Sequence, residues 1–471
     1  MKRAFAILLF SSPLFAQQIS VASATSTKVK LAWIGAAPAW VIERKGDTGV
    51  FQKLGSSATA EFEDDKIDPF GTYQYRVKPG DSGKPSNVVT VGPPPLGHNL
   101  AVPLPAGVEP ADFAQHPSIA PDSNGDPAIA YCQGKASASV WHFVSWDRAH
   151  YKWNAPVSVG EMGEYGTGTP IALAYDASAN RFGLAYRARI DAEVRFVIST
   201  DGGATWSKGA AKSEAVATAG ENAFKDLAIA MRGGKVHLAV LQPPDILYFS
   251  GDGATWAKER APVAEGRPAS GGIGLALDSS GKPGIGFLLR NAAGDGVEPH
   301  FWRPGGAIVQ VSAASAGGDE ASVRVSFRGT RPWIAFYGKL DDKFYSDNHV
   351  LWSFSSDDGA KWSPGVLVPN DGGQSPSSET SLATNTKGHA IIAAHVAGGN
   401  RDNSKCGQPM LSRSSDLARW STCGLSALDD HLSSVNPSAI FAANDKLYIA
   451  YQSLGGESSK VKAGVALWRE R

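Results

Sequence analysis

The chain has 471 residues, with 45 Lys plus Arg against 45 Asp plus Glu and a formal net charge of +0. That length exceeds one ordinary core and points to two or more domains or one large repeat body, and the missing basic excess leaves no compositional argument for a nucleic-acid partner. The 52 glycines and 13 tryptophans, in short apolar runs broken by Gly, Asn, Asp and Pro without any long helical pattern, predict an all-β chain.

Residues 1–16 read as a secretory signal peptide. Lys2 and Arg3 give a positive start, Ala4 to Phe10 is apolar, and Leu14-Phe15-Ala16 ends on a small residue, with cleavage expected after Ala16. The stretch is too short to remain as a spanning helix, and no second apolar run approaches that length. The expectation is export, to a secreted, periplasmic or cell-surface location, with no membrane span. Residues 18–92 alternate with period two in Val29 to Trp33, Trp40 to Arg44, Gly71 to Val77 and Asn87 to Val91, as short sandwich strands do. The segment resembles a fibronectin type III domain. Trp33 falls where that family keeps its core tryptophan, and Tyr73-Gln74-Tyr75-Arg76-Val77 looks like its tyrosine-corner strand. The resemblance implies a spacer or docking module, with a protein partner possible through it. Gly92-Pro93-Pro94-Pro95 ends the domain, and residues 93–97 form a stiff Pro-rich linker.

From residue 98 to 471 the sequence repeats. One unit reads Pro117-Ser118-Ile119-Ala120, then Asp122-Ser123-Asn124-Gly125, then Pro127-Ala128-Ile129-Ala130-Tyr131: strand, tight turn, strand. The pattern recurs at Pro170 to Tyr186, Lys225 to Leu241, Gly272 to Leu289, Ala321 to Tyr337, Thr380 to Val396 and Pro437 to Tyr451. Turn residues such as Asn124-Gly125, Gly233-Gly234, Ser280-Gly281, Lys387-Gly388 and Asn444-Asp445 suit hairpins. The spacing predicts a seven-bladed β-propeller, or a six-bladed one if the fourth unit, Gly272 to Val311, is irregular. Ring closure is expected from His98 to Pro103 joining the last unit, whose final strand is Val461 to Trp468.

A second signature follows the third strand of several units. Ser199, Asp201, Gly203 and Trp206 carry the clearest copy. Ser250, Asp252 and Trp256 carry another, and Ser355, Asp357, Gly359 and Trp362 a third; worn copies lie at Ser145 to Trp153 and Ser414 to Trp420. These are similar to the Asp boxes of sialidases and related BNR-repeat proteins. The physics of the motif is structural. Ser and Asp bond the turn's own backbone, Gly takes a positive φ, and Trp buries a large ring between neighbouring sheets. Cys406 and Cys423 flank the last worn copy at similar distances and are expected to form a disulfide if that copy is a hairpin turn; Cys132 is expected to be a small buried residue.

In a propeller of this kind ligands meet the face opposite the Asp boxes. Residues aimed there are His116, Arg187, Arg189, Lys225, Asp226, Arg290, Glu320, Tyr337, Glu379, His395, Arg401, Asn436 and Tyr451. Arg187, Arg290 and Arg401 each follow a second strand. They resemble in kind the arginine triad with which sialidases hold a sugar carboxylate, through planar two-bond forks; the alternative is ordinary loop arginines in structural pairs. The sialidase Phe/Tyr-Arg-Ile-Pro opening is replaced by Gln115-His116-Pro117-Ser118-Ile119, and no tyrosine–glutamate nucleophile pair is evident. His116, Tyr337, Glu379, His395 and Tyr451 are the catalytic candidates, the His and Tyr residues as base and acid if the protein is a lyase of uronic-acid polymers. No cofactor is implied, and no His-x-x-x-His spacing suggests a metal. Three readings stay open: a sialidase-like hydrolase, a polysaccharide lyase, and a surface binding or scaffolding protein that holds a glycan, acidic ones among them, without turnover.

Overall fold

A computed structural model of the chain describes residues 17–24, 28–46, 50–66, 73–91, 97–106, 113–134, 140–150, 152–161, 171–188, 193–207, 217–218, 224–263, 269–293, 296–312, 322–339, 349–368, 375–397, 410–424, 434–441, 445–453 and 464–470. The chain is all-β among these residues and divides into two compact units, Met1–Leu96 with Arg471, and Gly97–Glu470.

The first unit holds two antiparallel sheets. One runs Gln18–Ala24, Val29–Ile34, Glu61–Asp64; the other Gln52–Ser57, Trp40–Lys45, Tyr73–Pro79, Val89–Val91. Alternation turns Val29, Leu31 and Trp33 into a shared core with Ile42, Tyr75 and Val77. There the Trp33 and Trp40 rings meet edge-on at 5.8 Å. The Tyr75 hydroxyl donates to Asp64 at 2.8 Å, and Arg44 reaches the same carboxylate at 2.8 Å. Burial and that carboxylate push the Tyr75 phenol far above the usual tyrosine range. The last strand starts two residues later than the sequence pattern suggests. Asn87 instead brackets Ile19, accepting its N–H at 2.8 Å and donating to its carbonyl at 3.1 Å, a side-chain substitute for a ladder pair.

The second unit contains seven sheets among the described residues, taken in chain order. The first is Phe113–Pro121, Pro127–Gly134, Val140–Asp147, with Lys152–Trp153 and Val157–Glu161 both on its outer side. The second is Ile171–Asp176, Arg181–Ala188, Glu193–Ser199, Ala217–Thr218; the third Asp226–Arg232, Lys235–Gln242, Asp245–Gly251, Trp256–Arg260. The fourth is Ala269–Leu277, Pro283–Arg290, Val297–Trp302, Ile308–Gln310; the fifth Ser322–Arg328, Arg331–Lys339, His349–Ser355, Val366–Val368. The sixth is Ser375–Thr384, Ala390–Ala397, Met410–Ser414, Ser421–Gly424. The seventh is Ser434–Phe441, Leu447–Ser453, Gly464–Glu470 and, from the other end of the unit, Gly97–Ala101, paired Ala466 to Ala101 and Leu467 to Leu100. The first-named strand of each sheet packs against that of the next, and the seventh returns to the first, so the sheets form a closed β-propeller ring.

Among the described residues, apolar clusters sit at the joints between neighbouring sheets rather than at the centre. Phe143, Leu173, Phe182 and Leu184 fill the joint of the first and second sheets, and Tyr248, Ile285, Phe287 and Trp302 that of the third and fourth. Each first hairpin turns through a residue with positive φ. Most are glycines, but Asn180 and Asp445 serve the second and seventh sheets at φ 47° and 61°, a conformation their short polar side chains tolerate.

The Asp-box turns link neighbouring sheets. Ser199 Oγ accepts the Gly203 amide at 2.8 Å and Asp201 accepts the Thr205 amide at 2.9 Å. The Trp206 indole donates to the Gly203 carbonyl at 3.1 Å, and its ring stands edge-on to Phe143 of the first sheet at 5.0 Å. Trp256 repeats this on Phe196 and Trp362 on Phe301, both at 5.4 Å. Asp252 accepts the Ala254 and Thr255 amides, both at 2.8 Å. On the fifth sheet the turn is closed by Ser356 and Asp358 rather than by Ser355 and Asp357. Ser356 Oγ accepts the Gly359 amide at 2.8 Å and Asp358 the Ala360 amide at 2.8 Å, whereas Asp357 is exposed beside Arg331. This copy has one residue fewer between Ser and Gly, and two adjacent serines and aspartates hide that register in the sequence. The worn sixth-sheet copy keeps the geometry with Leu417 at φ 64° in the glycine position. The proposed Cys406–Cys423 pair lies outside the described side chains; Cys132 is buried, as expected.

Candidate functional site

The seven innermost strands enclose a cavity of about 280 Å³, to which every one of them contributes. A wider hollow, about 340 Å³, lies on the Asp-box face between the fifth and sixth sheets. Its walls are the turn residues whose structural bonds were just described, so the channel is the better candidate. The sequence explains its shape. In each sheet the channel-facing residue of the inner strand pairs with a small residue of the second strand: Ala130, Ala185, Ala239, Gly286, Ala335, Ala393 and Ala450. Those small residues fix one level of the channel. The residues opposite them are Ser118, Ala172, Ala228, Gly274, Arg324, Ser381 and Ser438.

At this level the polar side chains tie one sheet to the next. Ser118 Oγ accepts the Leu173 amide at 2.9 Å, Ser438 the Ile119 amide at 3.3 Å, and Ser381 the Ala439 amide at 2.8 Å. Each hydroxyl, used as an acceptor, keeps its own proton to donate. Arg324 donates Nε to the Thr380 carbonyl at 3.1 Å and Nη1 to the carbonyls of Ile273 and Val323 at 3.2 and 3.1 Å. One step toward the start of the strands, Asp226 accepts the Leu227 amide at 2.8 Å and the Ile273 amide at 2.9 Å. Its Oδ2 stands 3.6 Å from Arg324 Nη1. Ser322 and Thr380 share a hydroxyl contact at 3.1 Å beside them.

The same end of the channel is where four inner strands slip register. The ladder shifts between Ser118 and Gln115, between Gly274 and Ser270, between Thr380 and Pro376, and between Ser438 and Val435. His116, Glu379 and Asn436 lie within three of these bulges. Bulges concentrate at barrel rims and beside functional sites, where they redirect a side chain. The side chains of these three residues, and of His395 on the second strand of the sixth sheet, lie outside the described residues, as do Arg189, Glu320 and Arg401 altogether.

Of the expected arginine clamp, two members are among the described residues. Arg187 is buried, 7 % exposed, and its Nη1 donates to the Phe224 carbonyl, tying the second sheet to the third. Arg290 is half-buried at the end of its strand, and neither residue lines the cavity. The tyrosines proposed as acids are core residues. Tyr337 is 4 % and Tyr451 1 % exposed, and Tyr337 packs with Trp333 and Ile392 between the fifth and sixth sheets. Tyr131, one position after its ladder alanine as Tyr451 is, shows the same use. Its hydroxyl donates to the Pro103 carbonyl at 3.1 Å, and burial pushes the phenol well above its usual range. Lys225 is exposed, its amide on the Leu241 carbonyl. Of the candidates read from the sequence, Asp226 lines the channel, and Arg324 is the addition. Superposing the seven repeats would have found Arg324, since six copies carry Ser, Ala or Gly where it stands. Among the described residues no group of three or more His, Cys, Asp or Glu is placed to hold a metal, and no helix is long and apolar enough to cross a membrane.

No family model and no curated protein sequence matches the chain. Solved structures similar to it include the intramolecular trans-sialidase of Ruminococcus gnavus (12 % identity, 79 % of this chain and 97 % of that one, TM-score 0.44). A polysaccharide lyase, Uly1, matches at 11 % identity over 77 % of this chain and 90 % of that one, TM-score 0.44. An α-L-arabinofuranosidase of Fusarium graminearum matches at 10 % identity over 80 % and 97 %, TM-score 0.46.

Proposed function

We propose that this is an exported, seven-bladed, sialidase-like propeller, with a fibronectin type III-like first domain, that binds carbohydrate at the bulged end of its central channel, away from the Asp-box turns. One observation carries the reading. Asp226 and Arg324 face a cavity of ligand size beside three serine hydroxyls that still have a proton to give. Convergent polar groups placed by rigid strands around a preformed hollow are what orients a small ligand in such a site. The Asp-box sequence pattern and the signal-peptide-like start support an extracellular glycan as the partner. Immobilised full-length protein should retain oligosaccharides from a mixed glycan pool and release them unchanged; a protein that retains none, whatever their charge, sinks the proposal.

Turnover is the second reading. The observation in its favour is the placement of His116 and Glu379 in bulges at the same end of the channel. Hydrolysis would release reducing ends, and elimination an ultraviolet-absorbing product, with both signals lost in His116→Ala or Glu379→Gln.

A further inference from the structure

The channel level defined by the ladder alanines is divided in two. Arg324, Ser381, Ser438 and Ser118 belong to the fifth, sixth, seventh and first sheets, which are consecutive around the ring. Ala172, Ala228 and Gly274 belong to the second, third and fourth, and all seven residues line the cavity. At this level one arc therefore presents side chains with hydrogen-bond donors and the other small apolar side chains, with Asp226 of the third sheet beside them. Within the donor arc, Arg324 Nε and Nη1 are occupied by backbone carbonyls, while Nη2 has no hydrogen-bond partner among the described residues. Among the described residues of the wall the charged side chains are one pair, Asp226 and Arg324, 3.6 Å apart.

Resting on the proposed carbohydrate reading, we infer that the channel holds a single uncharged polyhydroxylated ring, edge to the donor arc and C–H face to the alanine arc. A pyranose has these two surfaces, an edge of hydroxyls and a face of C–H groups. Its ring and hydroxyl oxygens accept from Arg324 Nη2 and the serine protons, and one hydroxyl donates to Asp226. A carboxylate on the sugar is disfavoured, because Arg324, the arginine of the described wall, already has the carboxylate of Asp226 beside it and each charge answers the other. At about 280 Å³ the cavity sits near the roughly 300 Å³ floor of ordinary ligand pockets, which fits one residue of a glycan rather than several.

The test titrates the full-length protein with the methyl pyranosides of glucose, galactose and mannose, and in parallel with glucuronate and N-acetylneuraminate, by ligand-observed NMR. A neutral pyranoside binds more tightly than either acid. Ser381→Ala and Ser438→Ala each weaken it by about two- to tenfold, the equivalent of one hydrogen bond. Asp226→Asn, which leaves Arg324 unmatched, moves the preference toward the acids. Arg324 also ties three sheets together, so these three variants, with unchanged circular dichroism, replace an Arg324→Ala test. Tighter wild-type binding of glucuronate or N-acetylneuraminate overturns the inference and leaves the carbohydrate reading standing, as does a neutral affinity indifferent to both serines. Binding of no sugar of either kind overturns both.

Discussion

Arg324 on the fifth sheet and Asp226 on the third meet past the inner strand of the fourth, Nη1 to Oδ2 at 3.6 Å. They do so in space that Gly272 leaves open, for a Cβ there would lie 3.0 Å from Arg324 Nη1 and 3.3 Å from Asp226 Oδ2. Both obstacles are the ends of side chains. Gly272→Ala should therefore cost less than about 1 kcal/mol while disturbing the pair. At Gly274 the obstacles are backbone, Val325 N at 2.8 Å and Arg324 Cα at 3.0 Å. Gly274→Ala must displace a strand and should cost about 1–3 kcal/mol. Chemical denaturation ranks the two; the opposite order would show that the strands, not the side chains, yield.

The Asp-box turn offers a similar contrast within two residues. A Cβ on Gly203, at φ +94°, would stand 1.8 Å from Phe143 Cε1, while one on Gly202, at φ +75°, meets nothing within 4 Å. Gly202→Ala should lose only the left-handed backbone strain of about 1–2 kcal/mol. Gly203→Ala adds a clash that pushes the neighbouring sheet's aromatic aside, for about 3 kcal/mol or more in total. Thermal unfolding of the two variants reads the difference.

The serine ties should be individually modest. Replacing Ser118, Ser381 or Ser438 by Ala leaves the amide of Leu173, Ala439 or Ile119 without its acceptor, at about 1 kcal/mol each. The sharper readout is hydrogen exchange at that one amide, which should accelerate on the adjacent sheet rather than on the mutated strand. Uniform acceleration would mean the hydroxyl has no local role.

Acid should weaken the fold in two stages. His237 is buried, with Nδ1 2.5 Å from the Tyr248 hydroxyl, and burial lowers its pKa to about 4; burial likewise takes His142 to about 4. An unfolded histidine binds its proton near pH 6.5, so the unfolded chain holds more protons between these values. Stability is therefore level above about pH 6.5 and declines as pH falls toward 4. His237→Phe should flatten part of that decline, and adding His142→Phe more of it. Asp201, held at about 2 by the Thr205 hydroxyl first and then the Thr205 amide, acts lower. Its contribution is present above the ordinary carboxylate range near 4 and is lost as pH falls toward 2. Denaturant midpoints measured against pH separate the windows; an unchanged upper slope in the double histidine variant would refute this account.

The repeats were legible because hairpin chemistry is local. Asn124-Gly125 and Gly233-Gly234 announce their turns, and the alternation around Ala130, Ala185 and Ala239 announces the strands between. Strands without such signals, Gln52–Ser57 and Glu61–Asp64 in the first unit, were not. The site was less legible, because a side chain's role depends on which sheet lies beside it. Arg187 looks like a ligand arginine until Phe224 of the next sheet takes its guanidinium. Tyr451 looks like an acid until burial claims it. Arg324, in the middle of an alternating strand, reads as an ordinary outward residue; its address becomes visible only when the repeat copies are laid on one another.

Gly97–Ala101 completes the seventh sheet by pairing with Gly464–Glu470, immediately after the first unit ends. The ring is thus clasped by two segments more than 360 residues apart, and the half of the clasp that comes first in the chain is the outermost strand of its sheet. Trimming the chain back to residue 102, instead of to residue 97, would strip the partner from Leu467 and Trp468 and leave an unpaired β edge open to a second molecule.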